Sequence, residues 1–496
     1  MKKRVVPFVL GAFGLGAWCA SAAPDSPKQP NVLLFMIDDM KPLMGCYGDR
    51  TAQTPNMDAL ASRGAMFERA ACQISLCAPS RASILSGLRP DTIECYVNGD
   101  QFRKTCPEAV TLPQAFEKAG YHTVSIGKVY DARNRDPGGW SEEMMPSSEK
   151  DIYALDANDQ LYHDNSKRYN AATLQERQHL SRVGPAYEEA DLDESEYWDG
   201  QVAEKTVETL HRIKDKPFFL AVGFIKPHLP FACPEKYWDL YDRAGIPLPS
   251  NPDKPTENVV ELAYHEGFEL RQYDGIPKQG KLDEDLARTL IHGYYACASF
   301  ADAMVGRVLD ELDVLGLTDN TIVVLMGDHG WHLGDKEIWC KFTAFQQSSV
   351  VPLIVVDPRR AGGGRVRGMV ELVDIYPTLC ELSGVKPADG IEGRSFVPLL
   401  SGFSKPWKKA VFAEAGRGGG WKEYIGTSMR TDRYNYIEWR HRKKGTLRAQ
   451  ELYDLKKDPL EMKNLAGNPE YRERIERLAG QMQAGWKESL PKEVSR

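Results

Sequence analysis

Two short stretches of this chain are apolar at every position or nearly so and then stop at charged residues. NVLLFMI (31–37) runs into Asp38 and Asp39, and TIVVLM (321–326) runs into Gly327, Asp328, His329 and Gly330. Uninterrupted runs of this length suit strands of a parallel sheet buried on both faces. TVSI (123–126), FFLAV (218–222) and PLIVV (352–356) extend the set. Between them, apolar positions recur at helical spacing over 56–63, 111–119, 201–214 and 285–315. Strand and helix in alternation predict a doubly wound α/β domain, its mostly parallel sheet flanked by helices.

The pattern lapses twice. Residues 140–198 are polar and acidic, which reads as a long excursion with some helix, and 246–281 are irregular, with several Pro and Gly. After Gly402 the character changes again. Segments 410–414, 424–430, 433–439 and 451–455 read as antiparallel strands, followed by a helix over 471–489. The expected organisation is an α/β domain over 24–403 and a smaller C-terminal α+β subdomain over 404–496. At the other end, Lys2, Lys3 and Arg4 precede an apolar run to Trp18 and then CASAA (19–23). That order of features is a secretory signal peptide over 1–23. The run is too short to span a bilayer, and no later segment is apolar enough to do so. An exported chain, periplasmic or secreted, is the expectation.

Charge and cysteines narrow the function. The formal charge is −7, and loss of Lys2, Lys3 and Arg4 takes it to −10. Nucleic acid, which selects a basic surface, is therefore not the expected partner. Nine cysteines remain beyond Cys19, scattered without a compact spacing. An odd number leaves at least one thiol unpaired or chemically converted.

The candidate chemistry sits where strands end. Ligands of open α/β sheets bind beyond the carboxyl ends of the strands, so Asp38, Asp39, Asp328 and His329 are expected on one rim. Adjacent buried carboxylates are costly unless they meet a cation. Mostly oxygen donors favour a hard divalent ion, Ca²⁺ or Mg²⁺, over zinc. Cys77 opens CAPSR (77–81), with Pro79 suited to the first turn of a helix. Backbone donors at that helix start favour an anion, and Arg81 adds a fixed positive charge. Read alone, Cys77 would be a small buried hydrophobe, but that leaves Pro79, Ser80 and Arg81 beside it unexplained.

CAPSR followed by SG (86–87) resembles the signature of the type I sulfatases, C-x-P-S-R with a later Thr/Ser-Gly. Asp38-Asp39 after the first strand, the late Asp328-His329-Gly330 and the tail LYDLKKDPLEMKNLA (452–466) are similar to the family pattern as well. NVLLFMIDDMKPLMGCYGD, GKVYD, FIKPHLPF, DHGWHLGDKEIWCKF and SMRTDRYNYIEW resemble, in the same order, segments of the iduronate-2-sulfatase branch.

The resemblance implies an alkaline-phosphatase-like fold. It also implies conversion of Cys77 to Cα-formylglycine by a formylglycine-generating maturation enzyme, and one Ca²⁺ bound by Asp38, Asp39, Asp328, His329 and the converted residue. Lys128, His228 and Lys341 would line the sulfate pocket, and the substrate would be a sulfated glycan carrying a 2-O-sulfated uronate. An aldehyde hydrate offers two hydroxyls on one carbon: one attacks sulfur, and the other, once deprotonated, expels sulfate. His228 would protonate the leaving alcohol. Trp331 would wall the sugar, and Asp131 would take part in binding it. Asp131 stands where the branch carries a histidine assigned to that deprotonation, and His332 is the nearby residue that would replace it. The rival readings are a phosphonate or phosphate monoester hydrolase of the same fold, a sulfatase on algal or mucin glycans, and a degenerate glycan-binding protein.

Overall fold

The computed structural model describes residues 29–145, 152–360 and 362–491, so the signal peptide expected over 1–23 lies outside the described residues. An eight-stranded sheet forms the centre of the chain. Its strands are β1 (Asn31–Ile37), β2 (Ala65–Phe67), β3 (His122–Gly127), β4 (Glu142–Met144), β5 (Phe218–Phe224), β6 (Thr321–Gly327), β7 (Leu353–Val356) and β8 (Gly364–Val366). They lie in the order β8-β2-β7-β6-β1-β5-β3-β4. β1 pairs in parallel with β5 on one side and β6 on the other. β7 departs from the parallel expectation, running antiparallel to both β6 and β2.

The unbroken apolar run of β1 has a direct cause. Leu33, Phe35 and Ile37 pack into one buried cluster with Leu290, Tyr294 and other side chains of a long helix. Val32, Leu34 and Met36 pack into the cluster on the opposite face with Ile84, Leu85 and Leu379. Alternate side chains of a strand point to opposite faces, so a strand covered on both sides needs apolar residues throughout. The covering helices include α1 (Cys77–Ser86), α2 (Trp198–Ile213), α3 (Glu284–Val314) and α4 (Ile375–Ser383). Among the described residues, no helix is long and apolar enough to cross a membrane, and none of the nine cysteines is disulfide-bonded.

Strands β9 (Val411–Arg417), β10 (Tyr424–Arg430), β11 (Tyr434–His441) and β12 (Leu447–Asp454) form a separate antiparallel sheet, with helix α5 (Arg472–Ala484) packed beside it. A buried charge cluster ties this sheet to the first. Arg89, just past α1, donates two hydrogen bonds to Glu371 at 2.9 and 2.7 Å. Lys408 reaches Glu371 at 2.6 Å and Asp374 at 2.7 Å, and the Phe412 N–H of β9 donates to Glu371 at 3.0 Å.

Burial works to raise the Glu371 carboxyl, but Arg89 and Lys408 overcome it and hold it at about 2. A depressed acid contributes stability above its unfolded value, near about 4, and loses it as pH falls toward the folded value. Glu371→Gln leaves two buried cations without a counter-charge and is expected to cost about 3–5 kcal/mol at neutral pH. Urea unfolding at a series of pH values tests this: the gap to the parent protein should narrow as the medium is made more acid than the unfolded value.

Candidate active site

Backbone pairing carries on one residue past the central strands. The Asp38 N–H donates to the Phe224 carbonyl at 3.1 Å, and the Asp328 N–H donates to the Ile37 carbonyl at 3.2 Å. Two acids are thereby fixed at neighbouring strand ends. Asp39 takes a left-handed φ of 59° and its N–H donates to Asp328 Oδ1 at 3.2 Å. The Tyr294 hydroxyl of α3 pins the Asp39 carbonyl at 2.8 Å.

Helix α1 starts at Cys77, with the Ala78 N–H capped by Asn98 Oδ1 at 3.1 Å. Cys77 Sγ lies 3.2 Å from His329 Nε2. One donor atom each from Asp38, Cys77, Asp328 and His329 fall within 4.8 Å of one another, and so do those of Asp39, Cys77 and His228. Arg81 is wholly buried. Its guanidinium donates to Asp328 at 2.7 Å, Asp38 at 3.3 Å and the Val129 carbonyl at 3.2 Å, so it orders the carboxylates from behind.

Two ammoniums also stand on the carboxylates. Lys128, at the end of β3, pairs with Asp38. Lys341 contacts Asp39 at 2.9 Å and Glu269 at 3.1 Å. Burial and the Asp38 charge push the Asp39 carboxyl up to about 8, against the pull of Lys341. Three buried carboxylates with an imidazole form an oxygen-rich donor set that fits a hard divalent cation. Burial raises the Cys77 thiol, and Asp38 adds to the effect. Both effects disfavour the thiolate form of the unmodified sulfur.

His228 sits in a loop between two cis prolyl bonds, Lys226–Pro227 and Leu229–Pro230. Asp199 of α2 accepts the N–H groups of Ile225 and Lys226 at 2.8 Å each, and Lys226 Nζ donates to the Pro230 carbonyl at 2.6 Å. His228 Nδ1 faces the Leu229 carbonyl. A carbonyl only accepts, so Nδ1 carries a proton and Nε2 is the nitrogen turned to the pocket. Nε2 lies 3.0 Å from Glu269 and 3.7 Å from Asp39. Asp199→Ala is expected to lower stability by about 2 kcal/mol by stranding two buried N–H groups. Slackening of the His228 loop should lower kcat by about tenfold to a hundredfold. Unfolding curves and steady-state rates on the same preparation separate the two effects.

Several residues fall elsewhere than their spacing suggested. Trp331 is fully buried, beneath Lys341 (4.9 Å from ammonium to ring centre) and beside His228, with no face open to a sugar. His332 turns away to Thr343 Oγ1 at 2.9 Å and packs on Phe345, so it replaces nothing at the pocket. Asp131 is buried and engaged by Arg133. The structure adds Glu269, one of six acids in the irregular 246–281 stretch, which no local signal marks out from the others. It also adds Trp421, from the hairpin between β9 and β10, whose ring lies 4.6 Å from Phe268 and 5.4 Å from Phe342. Lys422 of the same hairpin pairs with Asp100 at 2.7 Å.

The sulfatase family profile matches residues 30–385. The profile for the C-terminal part of N-sulphoglucosamine sulphohydrolase matches residues 327–488. Iduronate 2-sulfatase of Mus musculus is 33% identical over 414 residues, covering 76% of this chain and 73% of the relative. A sulfatase of Formosa agariphila is 30% identical over 487 residues, covering 94% and 90%. The crystal structure of the phosphonate monoester hydrolase of Agrobacterium radiobacter shares the fold, with a TM-score of 0.72 at 24% identity over 92% of this chain and 95% of that one. The alkaline-phosphatase-like architecture expected from the sequence is the one observed. A profile match across most of the chain, joined by relatives of this identity, places it in the sulfatase family, the hydrolases of sulfuric esters.

Proposed function

We propose that this sulfatase removes the 2-O-sulfate of a hexuronic acid in a sulfated oligo- or polysaccharide. In this reading Cys77 is converted to Cα-formylglycine by a maturation enzyme before the protein acts, and the chain is exported. The observation that carries the proposal is the meeting of Cys77, at the start of a buried helix, with His329, three carboxylates and two lysines. Identity to the mouse iduronate 2-sulfatase supports the uronate.

Asp38, Asp39, Asp328, His329 and the converted residue 77 would hold Ca²⁺. Bound there, the cation supplies fixed positive charge against the sulfate oxygens. Residue 77, as the aldehyde hydrate, supplies the hydroxyl that attacks sulfur. Lys128 and Lys341 act electrostatically at Cys77 and offset the charge that grows as the S–O bond breaks. Arg81 keeps Asp38 and Asp328 in register, so that little reorganisation accompanies the reaction. As the imidazolium, His228 delivers a proton from Nε2 to the leaving sugar oxygen, and Glu269 favours that form against burial and Lys341, which lower its proton affinity.

Release of sulfate from a panel of defined sugars tests the reading, using protein co-expressed with a formylglycine-generating enzyme. The panel holds uronates sulfated at O2, hexosamines sulfated at O4 or O6, and algal oligosaccharides. Release from the 2-O-sulfated uronate alone is expected. Release only from another sugar would discard the uronate and keep the sulfatase. Faster turnover of an aryl phosphonate or phosphate than of the matching aryl sulfate would favour the monoester hydrolase reading.

A further inference from the structure

Asp131 occupies the position at which the family resemblance places a histidine, and its surroundings give it a different task. Its side chain is 3% exposed, three residues beyond Lys128. One residue takes both of its oxygens. Arg133 donates Nε at 2.8 Å, Nη2 at 2.9 Å and its backbone N–H at 3.0 Å. Burial works to raise the Asp131 carboxyl, but the Arg133 hydrogen bonds and the Lys128 charge hold it at about 2. The carboxylate is therefore ionised throughout the working range, a poor base with its lone pairs already directed at a guanidinium. Arg133 itself is 60% exposed. Ion pairs with an exposed partner contribute little to stability, so folding alone does not account for a buried acid dedicated to aiming a surface arginine.

Arg133 lies on the segment that leads out of the pocket from Lys128, the partner of Asp38. Its hydrogen bonds to Asp131 raise its proton affinity against burial, and the charge of Glu269, which also holds His228 and Lys341, adds to the effect. Its backbone carbonyl accepts from the Gln101 side chain. Three residues earlier, Asn98 caps the N–H of Ala78, next to Cys77. Nη1 makes no hydrogen bond among the described residues, so one edge of the fork is held and the other is free. A planar guanidinium fixed along one edge is suited to bind an oxyanion with the other.

We propose that Arg133, oriented by Asp131, binds an oxyanion substituent of the sulfated saccharide, a carboxylate or a second sulfate, outside the pocket that holds the ester being cleaved. The proposal rests on hydrolysis taking place at Cys77, and Asp131 acts through Arg133 as a positioning residue.

Matched substrate pairs test it. Steady-state rates are measured on a 2-O-sulfated uronate disaccharide and its carboxyl-reduced counterpart, and on 6-O-sulfated glucosamine with and without N-sulfate. Nitrophenyl sulfate serves as a reference. Arg133→Gln should raise KM by about tenfold to a hundredfold on the member carrying the second anion, the worth of a charge-assisted hydrogen bond. kcat should stay unchanged, and KM on the neutral member and on nitrophenyl sulfate should move less than about twofold. Arg133→Lys should recover part of the loss, and Asp131→Asn should act in the same direction more weakly, with the unfolding midpoint of each variant near that of the parent.

The pair on which the parent protein favours the anionic member identifies the source, carboxylate or sulfate. If the parent cleaves only the glucosamine pair, the uronate reading fails while Arg133 is still judged by the N-sulfate. Equal KM changes on both members of the cleaved pair, or no change on either, would overturn the role of Arg133.

Discussion

Cys77→Ala is expected to cut sulfate release by about five to six orders of magnitude, the scale of loss when a nucleophile is removed from a site that acts as a unit. The fold should survive. The side chain is small, it opens α1 against His329, and its truncation should cost about 1 kcal/mol. No neighbour can take its place. The nearest hydroxyl along α1, that of Ser80, is committed to the Asp328 carbonyl at 2.6 Å.

Peptide mass analysis supplies the second half of the test. The tryptic fragment 70–81 contains both Cys72 and Cys77. Cys72 is buried against the Ser348 carbonyl and serves as an internal control that stays a thiol. In active protein the fragment should show the mass change of thiol to aldehyde at Cys77 alone. Active protein in which Cys77 remains a thiol would sink the formylglycine reading outright.

The parts of this fold that could be read in the sequence are those where burial dictates composition. β1 and β6 are covered on both faces, and their apolar runs announced both the strands and the acids that end them. The same logic fails at a sheet edge. β4 is EEM, with no apolar signal, and joins the sheet only by pairing in parallel with β3. It also fails for direction: PLIVV shows burial equally well whether β7 runs with β6 or against it. Within the site, Asp38, Asp328 and Cys77 were legible because each interrupts an element at a place where charge or a reactive group is unexpected.

Glu269 and Asp199 were not legible, for different reasons. Glu269 belongs to a loop whose path depends on long-range packing, and it meets His228 and Lys341 only in three dimensions. Asp199 reads as an ordinary acid in the first turn of a helix, and its use as acceptor for two N–H groups of the His228 loop has no counterpart in spacing. Asp131 was visible as a departure from the family pattern, but its meaning came only with Arg133.

His228→Gln is the second large effect, and its size should depend on the leaving group. On a sugar sulfate kcat is expected to fall by about 10²–10⁴-fold, the range for loss of a positioned acid. The structure sets the reason. Nδ1 is committed to the Leu229 carbonyl, so a proton enters the pocket only from Nε2 of the imidazolium, the form that Glu269 favours against burial and Lys341. Glutamine can offer an N–H in the same region but cannot release it. A sugar alkoxide is a poor leaving group and needs that proton as the S–O bond breaks. A nitrophenolate departs without one, so on nitrophenyl sulfate the same variant should lose far less.

Equal losses on the two substrates would give a different answer. His228 Nε2 also lies near the Asp39 carboxylate and within reach of Cys77, in one of the two donor groups suited to a cation. A loss independent of leaving group would mean that the imidazole holds charge or metal in the ground state and the transition state alike. The ratio of the two losses therefore assigns the residue, because only proton donation to the departing oxygen makes the effect grow with the basicity of the leaving group.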